Sequence, residues 1–73
     1  MLTKEKIVEI INGCGLSLDH QETSQDVTFK SLGVDSLDFF NVLEEIEEIT
    51  GKKVPDGDVA KLTNIKELLE YFS

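Results

Sequence analysis

Ser36 is the side chain of this sequence whose type and setting together point to chemistry. It stands in Gly33-Val34-Asp35-Ser36-Leu37, directly ahead of the amphipathic run Asp38 to Thr50. Gly33 permits a positive-φ turn, Asp35 or Ser36 can cap the first free backbone N–H groups, and periodic apolar residues follow at once. The hydroxyl is therefore expected at a helix N-terminus, where unpaired N–H groups and the positive dipole end favour a negatively charged group such as a phosphodiester. A hydrolytic role fails on its own requirements. A serine nucleophile needs a positioned base and an oxyanion site, yet His20 is the only histidine and lies in a polar stretch. Ser36 also lacks the glycines two residues to either side, and the preceding strand, that build a strained nucleophile elbow.

The other titratable groups do not assemble a reaction centre. Carboxylates are plentiful, but a helical chain of 73 residues offers them no evident cleft in which to shift their pKa values. One cysteine and one histidine cannot make a metal site, and Asp56 and Asp58 lack the ligand ladder and closing Glu of a calcium loop. Cys14 cannot form an intrachain disulfide and reads as a small buried hydrophobe, which suits a reducing compartment. Fifteen acidic residues against seven basic ones give a net charge of −8, which repels nucleic acid and anionic lipid and favours partners with basic faces. The first residues carry no apolar signal core, and no apolar run nears the ~20 residues of a membrane span. The expectation is a soluble, unexported, cytoplasmic binding module.

The elements that must position Ser36 follow from periodicity. Thr3 caps a first helix carrying Ile7, Ile10, Ile11 and an inward-facing Cys14, with Gly13 and Gly15 marking its end. Leu16 to Gly33 is a long polar connection, pinned by Leu16, Leu18, Val27, Phe29 and Leu32, that delivers Ser36 to an exposed corner. A wheel over Ser36 to Thr50 buries Phe39, Val42, Leu43, Ile46 and Ile49. It leaves Asp38, Asn41, Glu44, Glu45, Glu47 and Glu48 outside, with Leu37 and Phe40 among them as apolar residues in an acidic field. Gly51 with Lys52 and Lys53 stops that helix. Val54-Pro55-Asp56-Gly57-Asp58 opens a short third helix to about Leu62, with Pro55 in its first turn. Asn64 to Glu67 has capping-box character and starts a last helix with Ile65, Leu68, Leu69 and Phe72 inward.

Phe29-Lys30-Ser31-Leu32-Gly33-Val34-Asp35-Ser36-Leu37-Asp38, the acidic helix behind it, Val54-Pro55-Asp56 and Lys61-Leu62-Thr63-Asn64-Ile65 together resemble the acyl carrier proteins over essentially the whole chain. The resemblance implies an all-α fold, a small antiparallel four-helix bundle with three longer helices, one short helix and a long loop between the first two. It implies a single carrier domain over residues 1–73 and no catalysis. Ser36 matches the serine to which a phosphopantetheinyl transferase attaches 4′-phosphopantetheine from coenzyme A, with Asp35 as the flanking recognition residue. The thiol of that arm would hold an acyl group as a thioester.

On this reading Leu37, Asp38, Phe40, Asn41, Glu44, Glu45, Glu48, Val54 and Asp56 meet ketosynthases, acyltransferases or acyl-activating ligases with basic docking faces, and the protein works as a monomer. Phe39, Ile46, Val59, Leu62 and Leu68 are the candidate lining for an acyl chain, or ordinary core. Fatty-acid carriers often read Asp-Ser-Leu-Asp-Thr-Val-Glu-Leu, whereas this chain has Phe39, Phe40 and Asn41, and Glu44 where an apolar contact residue is common. Those departures resemble a specialised rather than a housekeeping carrier. Two alternatives stay open at this point: a carrier of aminoacyl groups, such as D-alanyl, or of peptidyl groups, and an unmodified acidic helical adaptor.

Overall fold

Thr3, Asp35 and Asn64 each accept a hydrogen bond from a backbone N–H three residues on, and each opens a helix. The computed structural model describes residues 2–19 and 21–73, and His20, the candidate base, lies outside them. The order is α1 (Lys4–Asn12), α2 (Ser36–Thr50), α3 (Asp56–Val59) and α4 (Ile65–Tyr71). Gly51 ends α2 in the left-handed region at φ 72°, a conformation that glycine adopts without Cβ strain. Among the described residues there is one isolated antiparallel bridge, Thr28 with Asn64, and no strand. The radius of gyration is 11.0 Å, matching the roughly 11 Å of a compact chain this long.

α1 packs on α2 and on α4. Ile7, Ile11, Val42, Ile46, Ile65 and Leu68 are sealed completely, and Val8, Ile10, Leu43, Phe29, Val34, Val54 and Leu62 are buried around them. The connection over residues 13–35 is tied down by more than its apolar pins. Asn12 donates from Nδ2 to the Leu18 carbonyl at 2.8 Å and accepts the Leu18 N–H at 2.7 Å. Thr23, buried, donates its hydroxyl to the Asp19 carbonyl. Farther on, the Phe29 N–H bonds the Thr63 carbonyl at 2.9 Å and the Lys66 N–H bonds the Gln25 carbonyl at 3.2 Å, so the loop is stitched to the start of α4.

Four expectations are corrected. Ile49 is 54% exposed, because it faces a groove edged by Lys6, Glu9 and Ile10 of α1 and by Glu45 and Glu48 instead of sitting beneath α1. Cys14 packs against the core yet is only half-buried. α3 stops at Val59, not near Leu62, and Pro55 is its N-cap, not a first-turn residue. Asn64 fills its expected capping-box role, its Oδ1 accepting the Glu67 N–H at 2.8 Å, while the Glu67 carboxylate reaches back to accept the Thr63 hydroxyl and, at 2.8 Å, the Thr63 N–H. The two bonds from Thr63 hold the Glu67 carboxyl below its ordinary range. A lowered folded-state value means that this clasp is intact above the ordinary carboxylate range and is lost as pH falls through the lowered one.

Candidate functional site

The approach to Ser36 is fixed residue by residue. Gly33 turns the chain at φ 90°, and Val34, buried, donates its N–H to the Phe29 carbonyl at 2.9 Å. Asp35 is the N-cap, its Oδ1 accepting the Asp38 N–H at 2.8 Å. Ser36 is thus the first residue of α2, exposed, with its hydroxyl not engaged as the cap. The N–H groups of Ser36 and Leu37 have no acceptor within the helix, so a negative group on Ser36 Oγ would face free donors and the positive dipole end.

On one side of Ser36 lies an apolar cleft of about 420 Å³ lined by Ser36, Phe39, Phe40, Val59, Ala60 and Leu62, with Asp56 also at its wall. α3 is the opposite wall, held directly by Tyr71 and indirectly by two contacts of the segment that leads into it. Glu47 accepts the Val54 N–H through Oε2 at 2.6 Å, Tyr71 donates its hydroxyl to Asp58 at 3.0 Å, and Lys52 Nζ reaches the Tyr71 carbonyl at 2.9 Å. Burial, followed by the Asp58 carboxylate, pushes the Tyr71 hydroxyl above its ordinary value, so it stays a donor at neutral pH. At the cleft floor the half-buried Phe39 ring packs on buried Phe29 with centroids 5.1 Å apart.

On the other side, Asp38, Asn41, Glu44, Glu45 and Glu48 line a groove of about 430 Å³ with Ile10, Gly13 and Cys14. Burial, then the Asp38 and Glu45 carboxylates, push the Cys14 thiol above its ordinary value, which favours the protonated form. The expected docking residues therefore fall on two flanks of α2. Phe40 and Asp56 go with Ser36, and the other polar ones go with α1. Leu37 is 75% and Phe40 56% exposed, the apolar pair anticipated from the wheel.

Val54 departs from that set, since it is buried and its N–H is taken by Glu47. Glu47, counted on the solvated face, is half-buried and serves this tie. Of the candidate lining residues, Phe39, Val59 and Leu62 reach the cleft, while Ile46 and Leu68 are sealed in the core. The α3 clamp was not legible in advance, because its partners lie seven, thirteen and nineteen residues apart with no periodic signature. Among the described residues no cluster of acidic, His or Cys side chains is arranged to hold a metal ion, and no helix is long and apolar enough to cross a membrane.

The ion pairs among the described residues are Lys6 with Glu9 and Lys61 with Asp58, so Glu44, Glu45 and Glu48 make no ion pair, although Lys6 and Lys53 lie in the neighbouring grooves. Like charges three or four residues apart on a helix cost about 0.2–0.5 kcal/mol per pair. Magnesium at millimolar concentration, or moderate salt, is accordingly expected to raise the melting temperature by about 4 °C. A scan showing no rise with either additive would mean the acidic flank is unstrained.

Residues 6–72 match the family described as "Phosphopantetheine attachment site". The acyl carrier protein of Lactobacillus johnsonii is 33% identical over 67 residues, covering 90% of this chain and 82% of that protein. The acyl carrier protein of Rubrobacter xylanophilus is 34% identical over 68 residues, covering 92% of this chain and 83% of that one. An acyl carrier protein homolog of Ureaplasma parvum is 32% identical over 71 residues, covering 94% and 87%. A helical fold with such a match along its length defines a phosphopantetheine-binding carrier. The chain belongs to the acyl carrier protein family. Its cofactor is 4′-phosphopantetheine, and it is a carrier rather than a catalyst.

Proposed function

We propose that the protein holds acyl groups as thioesters on 4′-phosphopantetheine joined to Ser36 and delivers them to enzymes of fatty-acid, lipid or polyketide-type biosynthesis. The observation that carries this reading is the exposed Ser36 hydroxyl at the first position of α2, relieved of capping by Asp35 and set beside an apolar cleft. The arm supplies the thiol that bears the acyl group; the chain supplies the attachment oxygen, free N–H donors for the phosphodiester and an apolar wall for the cargo. Leu37 and Phe40 form the apolar centre of the docking face. Asp38, Asn41, Glu44, Glu45, Glu48 and Asp56 border it and steer enzymes with basic entrances, the phosphopantetheinyl transferase included.

The same reading takes residues 1–73 as one carrier domain, its helices forming an antiparallel bundle. A net charge of −8 keeps copies apart as monomers, and the free thiol of Cys14 fits the reducing cytoplasm. Incubation with coenzyme A and a broad-specificity phosphopantetheinyl transferase is expected to add the mass of one phosphopantetheine. Loading with an acid and its ligase should then add a hydroxylamine-labile acyl mass. No mass gain under conditions that modify a control carrier sinks the reading.

A further inference from the structure

We infer that Phe39, packed on Phe29, is the residue that sets the cargo class of this carrier: it closes the core to the acyl chain and restricts shelter to short acyl groups lying in the surface cleft. The inference rests on the attachment of phosphopantetheine to Ser36 and says which cargo that arrangement favours.

The cleft beside Ser36 is apolar on the sides offered by Phe39, Phe40, Val59, Ala60 and Leu62, and it contains no basic group to pair with a charged cargo. Asp56 at its wall disfavours a carboxylate-bearing one. An apolar chain entering here meets Phe39 first, one helical turn beyond Ser36. Behind that ring stands Phe29, 5.1 Å away between centroids and only 5% exposed, with its own N–H fixed to the Thr63 carbonyl at 2.9 Å. The Phe29 backbone is pinned and its ring is enclosed by the core cluster, which leaves no open space for it to retreat into. Beyond the pair, Ile46, Val42, Ile65 and Leu68 have no exposed surface at all.

A long chain would have to displace one ring of a packed aromatic pair and then prise apart a sealed core, giving up the contacts that fill it. A short chain needs neither, since it can lie against Phe40 and Val59 in space that is already open. The first few carbons should therefore gain contact with the protein, and later ones should extend into solvent or into a partner enzyme.

The transferase can load butyryl-, hexanoyl- and decanoyl-phosphopantetheine directly from the corresponding coenzyme A thioesters, and melting temperatures can be compared within each protein. The unsubstituted carrier is expected to show less than about 2 °C between its butyryl and decanoyl forms. Phe39→Ala should show a rise of at least about 4 °C from butyryl to decanoyl, as the vacated space admits the chain. Methyl spectra supply a reading that does not depend on the variant folding: in the unsubstituted protein, Ile46 and Leu68 resonances should be unmoved by decanoyl, while those of Val59 shift with butyryl. A decanoyl form of the unsubstituted protein that gains 4 °C or moves Ile46 and Leu68 overturns the inference alone. So does a folded Phe39→Ala carrier without chain-length dependence. A protein that accepts no phosphopantetheine overturns the carrier reading, and this inference with it.

Discussion

Ser36→Ala is expected to abolish phosphopantetheinylation outright while leaving the melting temperature within about 2 °C of the unsubstituted protein. The separation of chemistry from stability follows from one residue of register. Asp35, not Ser36, supplies the oxygen that accepts the Asp38 N–H at 2.8 Å, and Ser36 is exposed. Removing its hydroxyl empties no core space and frees no donor. Asp35→Ala should cost stability that Ser36→Ala does not. It deletes the cap, which costs roughly 0.5–2 kcal/mol, and should lower the melting temperature by about 4 °C or more. The measurement is a pair of thermal scans beside intact masses after transferase treatment. Residual modification of Ser36→Ala would move the attachment point elsewhere. A thermal loss in Ser36→Ala as large as in Asp35→Ala would show that the hydroxyl shares the cap.

The frame of α2 was readable because both its ends carry terminating chemistry: a capping side chain at Asp35 or Ser36, which the structure assigns to Asp35, and a glycine at Gly51 that takes φ 72°. Those bounds place Ser36 at the first position of α2, where the sequence puts it. The surroundings of α2 were less legible, since a wheel reports which side a residue is on and not what stands opposite it. Ile49 lies about 20° around the wheel from buried Val42, yet it faces a groove and is 54% exposed. Glu47 falls on the same side of the wheel as the exposed Glu44 and Glu48, yet the Val54 N–H arrives to meet it at 2.6 Å. Both outcomes depend on how segments distant in sequence cross α2. The same limit hid the division of the expected docking residues into two flanks, one shared with α3 and one with α1. It also hid the fate of the lining candidates, of which Ile46 and Leu68 are sealed while Phe39, Val59 and Leu62 reach the cleft.

The second large effect is expected at Phe29. Truncation of a buried Phe to Ala costs about 3–5 kcal/mol, from lost transfer energy and the space left behind. A domain this size has only ~4–11 kcal/mol in total, at roughly 0.05–0.15 kcal/mol per residue. Phe29→Ala should therefore lower the melting temperature by about 12 °C or more, whereas Phe29→Leu, which keeps most of the volume, should lose less than half as much.

The loss should not extend to the attachment chemistry below the transition. Asp35, Ser36 and Leu37 take their geometry from the first turn of α2, whose cap is local, so the folded fraction of Phe29→Ala should still accept phosphopantetheine at low temperature. Thermal scans with mass spectrometry after modification in the cold test both halves. A fall of less than about 4 °C would mean that Phe29 is not the packed floor under Phe39. The account of why the cleft ends there would then lose its foundation. A folded Phe29→Ala protein that refuses modification would show that the loop, and not the cap of α2, orients Ser36.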